Sequence, residues 1–182
     1  MEKIRAWTAG FALAAWLTAG PAHGQTPWAD WDYKLDQEIT PWSEMQTQIP
    51  AYPAEENLIP LVVDGTTQHR YYVDAKSVSV GNDGVMRYIL VIRTSGGSTN
   101  VSFEGIRCES REQKYYAIGR SSDRTWVRAR NPQWRRVDFR EFAAYHFTLY
   151  AEYACRGKQV AGTAEQIVAA LRRGPPRPST VD

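Results

Sequence analysis

Histidine, cysteine and methionine are scarce in this chain of 182 residues, which contains 3, 2 and 3 of them. No His-Glu-x-x-His or Gly-x-Ser-x-Gly motif occurs, and there is no phosphate-binding glycine loop or zinc-spaced cysteine set. The enzyme classes defined by those motifs are therefore excluded. We predict no catalytic residue, no metal site and no cofactor, and we expect a protein that is not an enzyme. A hydrolase that uses scattered carboxylates remains an alternative.

Long hydrophobic runs are also absent. A membrane-spanning helix needs about 20 apolar residues, and no stretch of this chain reaches that length. The longest run, Trp7–Ala19, follows a positively charged start and precedes small residues at Ala22 and Gly24. This order is typical of a cleavable signal peptide. We predict a signal peptide over residues 1–24, cleavage near Gly24, and a periplasmic or secreted protein without a transmembrane segment.

The remaining chain divides into three parts. Residues 25–50 form an irregular extension rich in tryptophan and proline, in which Trp42 is expected to pack on the domain as a strap. Residues 51–173 are the expected α+β domain. Residues 174–182 are rich in proline and poor in core-forming side chains, which predicts a disordered tail.

Period-two hydrophobic patterns predict an antiparallel β-meander of about five to seven strands. Val85–Thr94 is apolar on both faces, which places it at the centre of the sheet. Asp83-Gly84 before it is a hairpin turn signal. The other predicted strands are His69–Asp74, Ser77–Val80, Asn100–Cys108, Gln113–Gly119, Thr125–Arg128 and Trp134–Val137.

One predicted strand changes phase. In Asn100–Cys108 the apolar residues occupy odd positions up to Phe103 and even positions from Ile106, with Gly105 between them. A glycine at a period break is typical of a β-bulge, which adds one residue and exchanges the faces. We therefore predict a bulge or kink at Glu104–Gly105.

Period-3.6 patterns predict two helices after the strands. The first, Phe139–Ala154, follows a capping signal at Asp138. It carries His146 on its apolar stripe, either as a packed core histidine or, less favoured, as a general base. The second begins near Thr163, whose Gln166 occupies the reciprocal position of a capping box, and ends at Gly174. The fold class is thus a single α+β domain in which an amphipathic helix packs on the sheet.

The two cysteines, Cys108 and Cys155, belong to a protein that we expect to be exported, where thiols oxidise. A structural disulfide is therefore favoured, and two buried free thiols are the alternative. The Cys-x-x-Cys spacing that would suggest redox catalysis is absent from the chain. Since Cys108 ends a predicted strand and Cys155 follows a predicted helix, the bond would join helix to sheet.

Charge is distributed unequally along the chain. Gln25–Glu104 has 5 Lys and Arg against 11 Asp and Glu, whereas Gly105–Asp182 has 15 against 8. Either the two halves complement each other across the sheet, or the second half presents a basic face to an anionic partner.

Basic residues are interleaved with aromatic residues within Arg107–Arg140, a composition suited to phosphates, sulfated sugars or anionic headgroups. The alternative is that these charges merely cover the solvent face of antiparallel strands. An anionic glycan or lipopolysaccharide is a possible partner, and no nucleic acid is expected. The candidate anion-binding residues are Arg128, Arg130, Arg135, Arg136, Trp126 and Trp134.

Three motifs together, Gln48–Pro53, Tyr72–Val80 and Asn100–Cys108, resemble a family of uncharacterised exported proteobacterial proteins named after the cryptic neisserial protein. The similarity covers most of Trp42–Gly174. It implies a Gram-negative envelope location and paired cysteines at matching positions, and it implies no activity. A fainter likeness to small bacterial surface adhesins rests on architecture alone.

These observations favour a non-catalytic binding or envelope-maintenance module, whose partner is an unknown envelope component or protein. Two alternatives stay open. One is a polyanion-binding or adhesin-like protein that uses Arg107–Arg140, and the other is an unrecognised periplasmic hydrolase.

Overall fold

The computed structural model describes residues 41–63, 68–137 and 144–175. All of them from Trp42 onward belong to the unit Trp42–Asp182. The predicted signal peptide, the extension before Pro41 and the capping signal at Asp138 lie outside the described residues. The tail beyond Pro175 does as well. No helix in the described ranges is long and apolar enough to span a membrane.

The sheet is an antiparallel meander. The strands are β1 Leu58–Leu61, β2 Arg70–Asp74, β3 Ser79–Val80, β4 Val85–Arg93, β5 Thr99–Arg107, β6 Glu112–Arg120, β7 Thr125–Arg128 and β8 Arg135–Arg136. The main path of the sheet runs β1-β2-β4-β5-β6-β7, while β3 pairs with β4 and β8 pairs with β6. The α+β meander is confirmed, with β1 as an additional strand that was not predicted.

β4 is the central strand, as its two apolar faces predict. It pairs with β2, β3 and β5. Tyr88 and Ile89 point to opposite faces and are both fully buried. The face with Tyr88 packs under the helices. The face with Ile89 packs under the segment Trp42–Pro53, which we call the strap.

The predicted bulge exists but lies on the facing strand. The register between β5 and β6 shifts between Phe103 and Glu104, and the extra residue is Tyr116 of β6. The pairing of β5 with β4 runs without a break. A Cβ at Gly105 would lie 2.9 Å from the Tyr116 ring, so glycine leaves room for the bulged tyrosine. The prediction was wrong about which strand carries the insertion, since both faces of β5 are buried and its apolar pattern is not a simple alternation.

The described part of the first predicted helix consists of α1, Ala144–Thr148, and a π-helical segment, Leu149–Ala154. A short hairpin follows, with β9 at Cys155–Arg156 and β10 at Gln159–Val160.

The second helix, α2, spans Ala164–Arg173. The predicted capping box is present: the Thr163 side chain accepts from the Gln166 backbone, and the Gln166 side chain accepts from the Thr163 backbone. Gly174 ends the helix at a φ of 80°, in the left-handed region that favours glycine. Ile167 and Leu171 are the buried residues of α2.

Cys108 and Cys155 form the predicted disulfide, with a Cα–Cα distance of 5.6 Å. Cys108 directly follows β5, and Cys155 directly follows the π-helical segment. The bond therefore joins the end of a core strand to the end of the helical layer.

The strap covers the other face of the sheet. Ile49 and Tyr52 pack against the apolar cluster of that face. At its start, the indole of Trp42 donates a hydrogen bond to the Asp83 carbonyl at 2.8 Å. The guanidinium of Arg107 lies 3.8 Å from the centroid of the Trp42 ring. The predicted docking of Trp42 is confirmed.

Candidate functional site

A polar cluster lies beneath the helical layer, around the carboxylate of Glu104 in β5. Glu104 is completely buried, and His146 of α1 is 4% exposed. The His146 Nε2 atom lies 2.8 Å from a carboxylate oxygen of Glu104. The Tyr88 hydroxyl donates to the same oxygen at 2.8 Å, and the Ser102 hydroxyl donates to the other. One buried carboxylate therefore connects α1 with β4 and β5.

The phenols around this carboxylate are held in their neutral form. Burial raises the pKa of Tyr88 well above its ordinary value, and the negative charge of Glu104 adds to the effect. Burial and Glu104 also raise the pKa of Tyr145, whose hydroxyl lies 2.9 Å from that of Tyr115. The hydroxyl of Tyr88 is therefore a donor to Glu104 rather than a base.

Ser102, Glu104 and His146 are residue types found in catalytic triads, but their arrangement differs from a triad. A triad needs a histidine bonded to the nucleophilic hydroxyl and a carboxylate behind the histidine. Here both Ser102 and His146 bond to Glu104. Their burial keeps a substrate from reaching the reacting atoms. His146 is the packed, hydrogen-bonded core histidine that its position on the apolar stripe predicts.

Glu104 was missed as a polar centre by the sequence reasoning. The signal was present, since Ser102 and Glu104 occupy the even positions of β5 that precede the buried Ile106. Two polar residues on an otherwise apolar face indicate a buried hydrogen-bonded cluster.

A second polar cluster holds the strap on the opposite face, with the carboxylate of Glu44 at its centre. Glu44 accepts hydrogen bonds from Lys114 at 2.6 Å, from the Tyr116 hydroxyl at 2.7 Å and from the Trp134 indole at 3.2 Å. Burial alone would raise the pKa of Glu44, but the bonds from Lys114 and Tyr116 outweigh it and lower that pKa. The strap is thus fixed to β6 by an ionised carboxylate.

Asp83, in the turn before β4, provides the next anchor. Its carboxylate accepts two bonds from Arg87, at 3.1 and 2.6 Å, and one from the backbone N–H of Met45 at 2.9 Å. Burial would raise the pKa of Asp83, but the hydrogen bond from Arg87 outweighs it and the pKa is lowered. The side chain of Arg87 is only 4% exposed, so this pair is part of the core.

A groove of about 450 Å³ runs between the strap and the strands β6 and β7. Its walls include Glu44, Met45, Lys114, Tyr116 and Arg128. Lys114 and Tyr116 are already bonded to Glu44, whereas Arg128 is exposed and has no acidic partner in the part of the chain that the structure describes. The volume of the groove lies in the range of small-ligand sites. Arg128 gives the groove a positive charge that no acidic side chain among the described residues pairs with.

The four predicted anion-binding arginines lie along one edge of the sheet. β7 and β8 pair with two different stretches of β6, on the side of β6 that faces away from β5. Arg128, Arg130, Arg135 and Arg136 are all exposed. Neighbouring residues of a strand alternate between faces, so Arg135 and Arg136 point to opposite faces of this edge. The structure therefore places the four arginines on one edge but not on one face.

The two candidate tryptophans are used to hold the strap. The Trp126 indole donates to the Pro50 carbonyl at 3.0 Å, and its ring lies 5.3 Å from that of Tyr52. The Trp134 indole donates to Glu44, as described above. Both indole N–H groups are thus occupied within the chain, so of the predicted set only the four arginines lack a hydrogen-bond or acidic partner among the described residues.

The residues that build these clusters fall within one sequence match. Residues 37–172 match the family model described as the CNP1-like family. The chain belongs to the CNP1-like family. The match includes both cysteines of the disulfide, the strap and the four edge arginines. No curated protein and no solved structure matches the chain, so the likeness to adhesins stays a prediction.

Within residues 41–63, 68–137 and 144–175, no group of three or more His, Cys, Asp and Glu side chains could hold a metal ion.

Proposed function

We propose that this CNP1-like protein is an exported, non-catalytic binding module of the bacterial cell envelope. The disulfide between β5 and the helical layer is the observation that carries the proposal, because such bonds persist in oxidising compartments. The signal-like segment at residues 1–24 supports export. The burial of Glu104 and His146 supports a role without acid-base catalysis.

Expression of the full chain in a Gram-negative host tests export and oxidation together. We expect the protein in the periplasmic fraction, with an intact mass that lacks residues 1–24 and with both cysteines resistant to alkylation before reduction. An uncleaved chain with two alkylated thiols in the cytoplasmic fraction would contradict the proposal.

A second candidate function is the binding of anionic polymers by the sheet edge Thr125–Arg136. Four exposed arginines without an acidic partner in the described structure favour it, since unpaired guanidinium groups on one edge suit repeated sulfate or phosphate groups. We expect retention on heparin and on immobilised lipopolysaccharide at low salt, and release as salt rises.

The matched test compares two fourfold variants that remove the same charge. Arg128, Arg130, Arg135 and Arg136 become alanine in the first variant. Arg156, Lys158, Arg172 and Arg173, which are also exposed, become alanine in the second. Loss of retention in the first variant alone supports an edge site. Equal loss in both variants would show that net charge suffices and would reject the edge as the binding site.

A further inference from the structure

The strand β7 is an edge strand. It is the last strand on the main path of the sheet, and no strand among the described residues pairs with its outer side. The backbone N–H of Ala129 donates to the Tyr116 carbonyl of β6 at 3.0 Å. Because successive residues direct their backbone groups to alternate sides, Val127 also faces β6, whereas Trp126 and Arg128 direct their N–H and C=O groups outward. These outward groups form a template for a further strand.

The two faces of β7 present different side chains beside this edge. Trp126 and Arg128 point to the face that the strap covers, where the Trp126 indole bonds to Pro50 and Arg128 lines the groove described above. Val127 points to the other face and lies directly opposite Ile118 of β6. Val127 is 49% exposed and Ile118 is 47% exposed. An added strand would therefore meet an arginine on one face and an apolar pair on the other.

The charge around the edge favours an acidic strand over a second copy of the chain. The stretch Arg120–Arg130 contains 4 Arg and 1 Asp. The acidic residue, Asp123, is already paired with Arg120 at 3.1 Å. Arg128 and Arg130 have no acidic partner among the described residues. Two copies joined at this edge would bring like charges together, which is a common protection of edge strands against self-association.

We propose that the outer edge of β7 binds an extended segment of a partner protein, in which acidic and apolar residues alternate, as an added antiparallel strand. The acidic side chains would lie opposite Trp126 and Arg128, on the face of the strap and within reach of Arg128. The apolar side chain between them would lie opposite Val127. In such complexes backbone hydrogen bonds supply affinity and alternate side chains supply specificity. The added strand is the partner of the proposed binding module, on which the assignment rests.

The probe is a fluorescently labelled peptide with blocked termini, Gly-Val-Glu-Val-Glu-Val-Gly, added to the full mature protein at low salt. We expect saturable binding by fluorescence anisotropy. Hydrogen exchange followed by NMR should show that the outward amides of Trp126 and Arg128 become protected when the peptide binds. The Val127 amide should change little, because it already faces β6.

Two N-methylated peptides separate an added strand from a charge effect, since both carry the same charge as the probe. In the added strand the glutamate amides point to β7 and the valine amides point away from it. N-methylation of both glutamates should abolish saturable binding. N-methylation of the valine between them is the matched control, and it should leave the affinity within about 2-fold of the probe, because no hydrogen bond to β7 is lost.

Two substitutions of Arg128 test the edge from the side of the protein. Both remove the same charge, but only proline also removes an outward N–H, and proline is tolerated at an edge where that N–H faces solvent. Arg128→Ala should weaken peptide binding about 2- to 5-fold, the effect of one exposed charge pair. Arg128→Pro should weaken binding by a further factor of about 2 to 10, the effect of one hydrogen bond.

Val127→Ser tests the apolar pair. It should weaken binding of the peptide about 2- to 10-fold, because less apolar surface is buried by the central valine. Val62→Ser is the matched control, since Val62 is also exposed, at 54%, and follows β1 instead of β7. It should bind as the wild type does.

Several outcomes would overturn the proposal. The absence of saturable binding by the probe would reject an added strand. Equal binding by the probe and by the peptide with N-methylated glutamates would show that charge alone is recognised and would assign the edge to polyanions. A wild-type dimer in sedimentation that Arg128→Pro dissociates would assign the edge to a second copy.

Two features keep these results separate from folding and from the proposed function. If Arg128→Pro does not fold, the N-methylated peptides with the wild-type protein still decide between a strand and a charge effect. Export, oxidation and heparin retention are measured without the peptide. A protein that passes those tests and does not bind the probe would therefore lose the added strand and keep the proposed function.

Discussion

At the scale of single residues, Glu104 determines how the helical layer meets the sheet. It accepts from Tyr88 and Ser102, and it pairs with His146. A buried hydrogen-bonded cluster of this kind adds modest net stability, but removal of one partner leaves the others unpaired. The cluster therefore selects one position of α1 on the sheet.

Glu104→Ala should be severely destabilising because it leaves three buried polar groups without a partner. We expect a loss of about 3–5 kcal/mol in the free energy of unfolding, measured by urea denaturation. Glu109→Ala is the control, since Glu109 pairs with Arg107 at the surface with 63% of its side chain exposed. That variant should lose less than about 1 kcal/mol. Equal losses in the two variants would show that Glu104 has no special structural role.

At the scale of elements, the strap is a segment without regular structure that is held by side chains at several points. Trp42 contacts the turn at Asp83, Glu44 bonds to β6, and Tyr52 packs against Trp126 of β7. Glu44 belongs to the acidic half of the sequence and Lys114 to the basic half. The two halves do complement each other here, while the four edge arginines have no acidic partner among the described residues.

The lowered pKa of Glu44 predicts an acid-sensitive strap. A carboxyl group with a folded-state pKa below its ordinary value of 4.5 stabilises the fold above that pH, and this stabilisation is lost as the pH falls further. Glu44→Gln should therefore be less stable than the wild type by about 1–3 kcal/mol at neutral pH. The difference should shrink in acid, because protonation of Glu44 in the wild type has a similar effect.

Urea unfolding followed by tryptophan fluorescence measures this difference, since Trp134 bonds directly to Glu44. The matched control is Glu55→Gln, which removes the charge of a carboxylate that is 76% exposed and pairs with Arg93. It should change stability little at either pH. A Glu44→Gln effect that stays constant between neutral and acidic pH would contradict the assignment of an ionised anchor.

At the scale of the whole molecule, the disulfide closes the domain. It links Cys108 and Cys155 across a sequence separation of 47 residues, and it ties the end of the π-helical segment Leu149–Ala154 to the end of β5. Chain entropy assigns about 4 kcal/mol to a loop of this length. Typical domains have only about 5–15 kcal/mol of net stability.

Loss of the disulfide should thus lower the free energy of unfolding by about 4 kcal/mol, as measured by urea denaturation of Cys108→Ala/Cys155→Ala. The reduced wild type is the control, because it lacks the bond but keeps both sulfur atoms in the core. The free energy of unfolding should fall by similar amounts in the double variant and in the reduced wild type. A decrease of less than about 1 kcal/mol in the reduced wild type would show that the bond does not stabilise the domain.

Local features of the chain determined much of the fold. The apolar faces of Val85–Arg93 identified the central strand, and Thr163 with Gln166 identified the start of α2, because strand periodicity and capping depend on residues close together in sequence. The two cysteines sufficed for the disulfide, because no other pairing was available.

Only the tertiary structure decided what the polar residues do. Glu104 and His146 are 42 residues apart in sequence, and Glu44 and Trp134 are 90 apart. Local periodicity shows which face of a strand is apolar, but it carries no information about which distant side chain will share a buried pocket.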